Sequence, residues 1–340
     1  MMRKVFWSKI MIGSSFLIVM SVNPIIRNYY PLGSYVHRLV NKEKPTIERI
    51  SLLSHESFDS PSKIERKGIL VRYPNARANI VISHGFMCTK EDVGFVRQLF
   101  PRGKYNFLSF DFRAHGEKRE GQCCTFGRDE ANEVIAAAEY FKNHPELNKL
   151  PTFVYAFSMG AVASIEAQAK KPVFEAMILD CPFDSTENIV KKALQSIKIS
   201  FFGYKFGVPG RSYLEKYAFH PYVQSFIKFL LKTVPHMDAR NIKTYMYRFS
   251  PAESAKKIEV PCFFIHCKND EKVTVDAIHR ICDNVKSVKW RWITNGRGHY
   301  DSVFFNPEKY AKRIDKFFDK VLTGSIYQEE HEKLKEDPDL

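Results

Sequence analysis

The chain lacks any C-x-x-C pair. Its seven cysteines are widely spaced except for Cys123-Cys124, so neither a zinc site nor a redox dithiol has support. Several stand in apolar, strand-like runs, where cysteine acts as a small core residue. A vicinal disulfide is strained, so Cys123 and Cys124 read as free thiols. Nucleic-acid motifs are also missing. The 52 basic residues outnumber the 38 acidic ones by 14, but they are scattered, and the surplus reads as a solvated surface rather than a nucleic-acid face. The N-terminal apolar run, Ile10 to Val22, is only thirteen residues long, short of the roughly 20 that cross a bilayer. No A-x-A cleavage site follows it, Ser21-Val22-Asn23 being a poor one, and no neighbouring cysteine offers a lipid anchor.

What is present at that end is a targeting pattern. Arg3, Lys4 and Lys9 precede the apolar run, and extension back to Val5 gives a marginal span if Lys9 snorkels. Residues 1–24 are expected to be a signal anchor, with a cleaved signal peptide as the alternative. Association with a membrane would then run through residues 5–22. Positive charge before the span puts the rest of the chain outside the cytoplasm, anchored or exported.

A polar, proline-containing stretch over residues 25–62 has no clear period and reads as a connector. Strands and helices alternate from there. Lys63 to Tyr73 and Ala78 to Ser83 read as strands around a Pro74-Asn75 turn. The second runs into His84-Gly85-Phe86-Met87. Thr89 and Asp92 form a capping-box-like pair for a helix to Phe100, with Val93, Val96, Leu99 and Phe100 inward. Tyr105 to Phe110 is a strand ending in Asp111-Phe112-Arg113-Ala114-His115-Gly116. A helix over about 128–142, a strand over Thr152 to Ala156 and another over Ala176 to Asp180 follow. The rhythm breaks at residues 185–258, which carry thirteen Lys or Arg against four Asp or Glu, and about thirteen aromatics. That interruption is too long for a loop and reads as a helical lid insertion. Alternation resumes over 259–323 and ends in a helix with Asn306 as cap, Pro307 in its first turn and Gly324 at its end. Residues 324–340 are a charged tail. Buried apolar strands alternating with helices imply an α/β fold: a mostly parallel, doubly wound sheet with an inserted helical lid, its core split into 63–184 and 259–323.

The stretch Pro151 to Ile165, PTFVYAFSMGAVASI, carries the chemistry. Ser158 stands between a buried strand and a helix, with Ala156 two before it and Gly160 two after. That is the pattern of a nucleophile elbow, where larger side chains would strike neighbouring backbone. A nucleophilic serine needs a base, and the base an orienting acid. Asp270 follows the strand Val260 to His266, and His299 follows the next strand within Asn295-Gly296-Arg297-Gly298-His299. Both lie at carboxyl ends of strands, where such sheets present functional groups. Asp180 and Asp184 are rival acids, and His84, His115 and His266 are rival bases. The Met159 and Phe86 N–H groups are the expected oxyanion donors. Asp111 is expected to tie down its own loop. Arg113 and Arg297 read as surface or loop-bracing residues, with an anionic substrate group as the alternative.

These pieces, His84-Gly85-Phe86, Asp111 to Gly116, Ala156 to Gly160, Asp270 and His299, stand in the order of the α/β-hydrolase superfamily. The chain resembles that superfamily from about Lys63 to Leu322. It is most similar to bacterial serine hydrolases with an H-G-F loop and a D-x-R-x-H-G turn, a group that includes esterases, thioesterases and serine aminopeptidase-like proteins. It departs at Ala156, at Ala114 where R-G-H-G is usual, and at Lys118 where serine is common. The resemblance implies hydrolysis of an ester or thioester of a small-molecule or lipid-like acyl substrate, with Ser158, Asp270 and His299 catalytic and no metal or cofactor. A peptidase or amide hydrolase with the same triad is the alternative. A third reading is a membrane-anchored binding protein on a hydrolase fold without turnover.

Overall fold

A computed structural model of the chain describes residues 44–331, apart from 58–59, 118, 120, 197, 202–203, 208–209 and 233–241. The expected anchor at 1–24 and Lys118 lie outside the described residues. Among the described residues no helix is long and apolar enough to cross a membrane.

The first element corrects the sequence reading. Residues 46–55, expected within the connector 25–62, form β1 (Thr46–His55), antiparallel to β2 (Lys63–Arg72) along its whole length. Its inward face is Glu48, Ile50, Leu52 and Ser54, whereas Ile47 and Leu53 point to solvent at 62% and 67% exposure. Polar residues inside and apolar residues outside erase the alternation that marks a half-buried strand.

From there the alternation holds. β3 (Ala78–Ser83) leads to the expected helix, a 3₁₀ segment over Asp92–Leu99, and then to β4 (Tyr105–Phe110). The capping box forms: Thr89 N–H and Oγ1 both donate to Asp92 Oδ2, at 3.0 and 2.9 Å. α1 (Ala131–Asn143) precedes β5 (Thr152–Phe157), α2 (Met159–Lys170) and β6 (Ala176–Asp180). After the inserted segment come β9 (Cys262–Cys267), α7 (Val275–Asn284), β10 (Lys289–Thr294), α8 (Ser302–Phe305) and α9 (Pro307–Leu322). Asn306 Oδ1 caps α9 by accepting from Lys309 N–H at 3.1 Å. The terminal segment is ordered further than a charged tail implies: Ser325–His331 makes a 3₁₀ turn whose Ile326 is fully buried.

The eight strands pair in the order β1-β2-β4-β3-β5-β6-β9-β10, with β2 antiparallel to both neighbours and the rest parallel. Both faces are covered. Val81, Leu108, Val154, Leu179 and Phe264 pack with Val134, Ile165 and Ile281 of α1, α2 and α7. Their sequence neighbours Ile80, Phe107, Phe153, Ile178 and Phe263 turn the other way, against Val96, Phe100, Ile314 and Phe317. Two-sided burial is why these strands read as continuous apolar runs.

Residues 185–258 are not wholly helical. Between α3 (Thr186–Ser196) and the helices α4 (Arg211–Tyr217), α5 (Pro221–Lys232) and α6 (Pro251–Ser254) stands an antiparallel pair, β7 (Lys198–Phe201) and β8 (Tyr204–Gly207). Lys-Ile-Ser-Phe and Tyr-Lys-Phe-Gly do alternate, but over four residues each, too short a run to outweigh the surrounding helical pattern.

Candidate active site

Ser158 sits between β5 and α2 at φ 53°, ψ −124°, a conformation that a non-glycine residue holds only when its surroundings impose it. Two contacts impose it. Ser158 N–H donates to the Asp180 carbonyl at 2.8 Å, and the chain passes directly under the end of β3. A Cβ on Gly160 would lie 2.2 Å from the Ser83 carbonyl oxygen and 2.5 Å from that of His84. Hence nothing larger than glycine fits two residues after the serine.

The loops after β9 and β10 bring two further side chains to it. His299 Nε2 lies 2.7 Å from Ser158 Oγ, and His299 Nδ1 lies 2.7 Å from Asp270 Oδ2. The other Asp270 oxygen accepts from the Lys272 and Val273 amides at 2.9 and 3.0 Å. Burial pushes the Asp270 carboxyl up, but the charge and hydrogen bond of His299, with lesser help from His266 and the Val273 amide, outweigh it. The net effect holds the carboxyl below its ordinary range, in the ionised form that accepts from imidazole. His266 is held by another bond: its Nε2, 3.8 Å from Asp270 Oδ2, donates to the Val273 carbonyl at 2.9 Å, and burial lowers its pKa.

The rival acids have other partners. Asp180 Oδ2 accepts from Tyr310 Oη at 2.8 Å, and Asp184 Oδ2 from Arg280 Nε at 2.6 Å and Asn188 Nδ2 at 2.7 Å. Sequence reasoning missed Cys181, whose Sγ lies 3.8 Å from His299 Nε2; burial pushes its thiol pKa well up.

The His84-Gly85-Phe86 loop is held from behind. His84 Nδ1 donates to the Gly85 carbonyl at 2.7 Å, and its Nε2 accepts from Phe112 N–H at 3.1 Å. His115 Nδ1 donates to the Arg113 carbonyl at 2.8 Å, and its Nε2 accepts from Met87 N–H at 3.0 Å. Burial lowers both, His84 to about 3. Asp111 accepts from Lys90 N–H at 2.9 Å and Lys90 Nζ at 2.7 Å. A Cβ on Gly116, at φ +67°, would lie 2.2 Å from that carboxylate. Arg113 is buried, bonding Glu133 Oε1 at 2.9 Å and the Glu56 carbonyl at 2.6 Å. Arg297 is exposed and pairs with Asp301 at 3.1 Å. Ala114 occupies φ +60°, where the more usual glycine would rest without strain.

Met87 N–H is taken by His115 and Cys88 N–H by the Gly85 carbonyl at 3.2 Å, whereas neither Phe86 N–H nor Met159 N–H has a hydrogen-bond partner among the described residues. The seven cysteines are all free thiols, and no group of metal-ligating side chains occurs among the described residues.

Comparison with known proteins agrees with this architecture. Residues 74–207 match the family described as serine aminopeptidase, S33. The uncharacterized protein YqkD of Bacillus subtilis is 24% identical over 327 residues, spanning 89% of this chain and 97% of its own. Among solved structures, the Pyrococcus furiosus esterase Pf2001 superposes with a TM-score of 0.60 at 18% identity, over 83% of this chain and 96% of that one. The Pyrococcus horikoshii acylaminoacyl peptidase gives a TM-score of 0.55 at 15% identity, over 83% of this chain but 42% of its own. The fold is thus that of the α/β-hydrolases.

Proposed function

We propose that the protein hydrolyses a carboxylic ester or thioester through an acyl-enzyme on Ser158. The observation that carries this reading is the pair of 2.7 Å contacts made by the two nitrogens of His299, to Ser158 Oγ and to Asp270 Oδ2. Ser158 Oγ attacks the substrate carbonyl carbon while His299 Nε2 takes its proton. Asp270 keeps the other imidazole proton on Nδ1 and stabilises the imidazolium. The Phe86 and Met159 amides hold the oxyanion, and loss of one such donor typically costs about 2.7–4 kcal/mol. His299 returns the proton to the departing alcohol or thiol. It then deprotonates a water that attacks the acyl carbon, and passes that proton to Ser158 Oγ as the tetrahedral intermediate collapses to release the acid. The aromatic, basic segment 185–258 acts as a lid over a lipid-like acyl group, and residues 5–22 associate the protein with a membrane.

A second reading keeps the same three side chains and changes the scissile bond to an amide or peptide. The serine aminopeptidase description of the matched family favours it. Fluorophosphonate labelling of the wild type and of Ser158→Ala, followed by p-nitrophenyl esters from acetate to palmitate, separates the readings. Labelling lost in the variant, with turnover and a chain-length optimum, is the expected result. Labelling without ester turnover moves the assignment to peptides or thioesters. No labelling of folded protein makes it a non-catalytic binding protein.

A further inference from the structure

Outside the Ser158–His299–Asp270 cluster, four buried polar side chains form one hydrogen-bonded row. Tyr300 Oη lies 3.0 Å from Tyr155 Oη, which lies 2.8 Å from Tyr310 Oη, which donates to Asp180 Oδ2 at 2.8 Å. They come from the loop after β10, from β5, from α9 and from the end of β6. A carboxylate only accepts, so with Asp180 ionised all three hydroxyl protons point along the row toward it. Polar groups buried this deeply are costly unless each finds a partner. Phenylalanine at the three tyrosine positions would fill nearly the same space with no such requirement.

The location of the row gives it a use. Tyr300 directly follows His299, and its backbone is left-handed at φ 58°, which a bulky residue seldom adopts unless held there. Its ring stacks on Phe157, centroids 3.9 Å apart and planes 10° apart, and Phe157 directly precedes Ser158. The far end of the row, Asp180, accepts the Ser158 amide on its carbonyl. The residues beside Ser158 and His299 are therefore tied together by a ring stack and a hydroxyl row, independently of the Oγ–Nε2 contact. The rest of the loop, Asn295-Gly296-Arg297-Gly298, is held by Arg297 to Asp301 and by Asn269 to the Gly296 carbonyl, and none of these bonds reaches the imidazole.

We propose that Tyr300 is the positioning residue for His299, anchored through Tyr155 and Tyr310 to Asp180. This rests on the reading of Ser158 as nucleophile and His299 as base. Tyr300 acts through the imidazole and touches no reacting atom.

The test uses the full chain with Tyr300→Phe, Tyr300→Leu, Ser158→Ala and a stability control, Phe318→Leu. Phe318 stacks on Phe153 and Phe100 and makes no ring contact or hydrogen bond of its own with Tyr300 or Tyr155, although Phe100 packs edge-on against Tyr155. The readouts are the rate of fluorophosphonate labelling, kcat and KM on p-nitrophenyl butyrate, and Tm. Removing the hydroxyl alone, in Tyr300→Phe, is expected to slow labelling and kcat about tenfold. Removing the stack as well, in Tyr300→Leu, is expected to slow both about a hundredfold. KM should stay within about twofold, because only the base is displaced. Phe318→Leu should lower Tm and leave both rates near wild type. Wild-type rates in Tyr300→Leu overturn the positioning role alone, provided the wild type labels and Ser158→Ala does not. The same holds if Phe318→Leu loses as much rate at an equal loss of Tm. Folded wild type that does not label overturns the nucleophile reading, and the positioning role with it.

Discussion

His84 and His115, in the loops after β3 and β4, and His299, in the loop after β10, are the same residue in opposite settings. Each of the first two gives its Nδ1 proton to a carbonyl and fills its Nε2 lone pair with a backbone amide. Both nitrogens are occupied by groups that neither give up nor take a proton near neutral pH. Burial then lowers both pKa values and keeps the rings neutral. His299 has a carboxylate at Nδ1 and a hydroxyl at Nε2. Its lone pair faces a proton it can take, and its other side faces a charge that stabilises the cation formed when it does. The partner at each nitrogen, rather than depth of burial, separates a bracing histidine from a candidate base.

The sharpest way to break this contrast is to replace a histidine on each side of it, and the Asp270 partner of His299. His299→Gln should lower kcat by roughly 10⁴–10⁶-fold, and Asp270→Asn by about 10⁴-fold through the wrong tautomer. Urea midpoints should barely change, since His299 braces no backbone and asparagine at 270 keeps the Oδ1 that accepts the Lys272 and Val273 amides. Steady-state kinetics on the best ester, with unfolding curves on the same samples, checks both. A His299→Gln protein retaining about a tenth of the wild-type rate would remove it as the base.

The second test should show the opposite signature. His115→Ala leaves the Met87 N–H and the Arg113 carbonyl without their partner, and a buried unpaired group costs about 1–3 kcal/mol. Because Met87 directly follows Phe86, the Phe86 amide should lose its aim and kcat should fall by up to about 10²-fold. Stability and rate therefore fall together here, whereas at His299 rate falls alone. Chemical denaturation and kcat measured side by side distinguish the two, and a stable His115→Ala protein would mean that the loop is held by Asp111 and Lys90 instead.

The contrast also marks what was legible in the sequence. The sheet was, because two-sided burial writes apolar runs such as Ala78–Ser83 and Cys262–Cys267 at regular intervals. Ser158 was legible as a candidate because it directly follows such a run, and Asp270 and His299 because they stand three and five residues past the ends of strands; the structure brings the three within hydrogen-bond distance. β1 was hidden by its exposed Ile47 and Leu53, and the β7–β8 pair by its length. The braces were hidden by separation. Met87 and His115 are 28 residues apart, and Tyr155 and Tyr300 are 145 apart. A lone tyrosine or histidine carries no mark of the amide or hydroxyl it will meet.

The smallest expected effect concerns the bracing side under acid. The His84 pKa falls from 6.5 to about 3 in the fold, through burial first and the neighbouring His115 second. A histidine lowered in this way contributes stability that is complete above about pH 6.5 and is lost as the pH falls toward about 3, since the unfolded chain then holds one more proton. That one group makes a slope of about 1.4 kcal/mol per pH unit. Asp180 and Glu166, both pushed up to about 7 by burial, act in the other direction. Between their ordinary carboxylate values and about 7 the fold keeps their protons, so stability rises as the pH falls. The wild-type curve mixes these terms, and only a difference isolates His84. Glutamine can donate to the Gly85 carbonyl and accept from Phe112 N–H without titrating. His84→Gln should therefore lose stability less steeply than wild type below about pH 6.5, with the curves parallel above it. Urea midpoints across that range decide the point: curves parallel throughout would mean that His84 takes up its proton in the folded protein, and the difference between bracing and reactive histidines would then not lie in their titration.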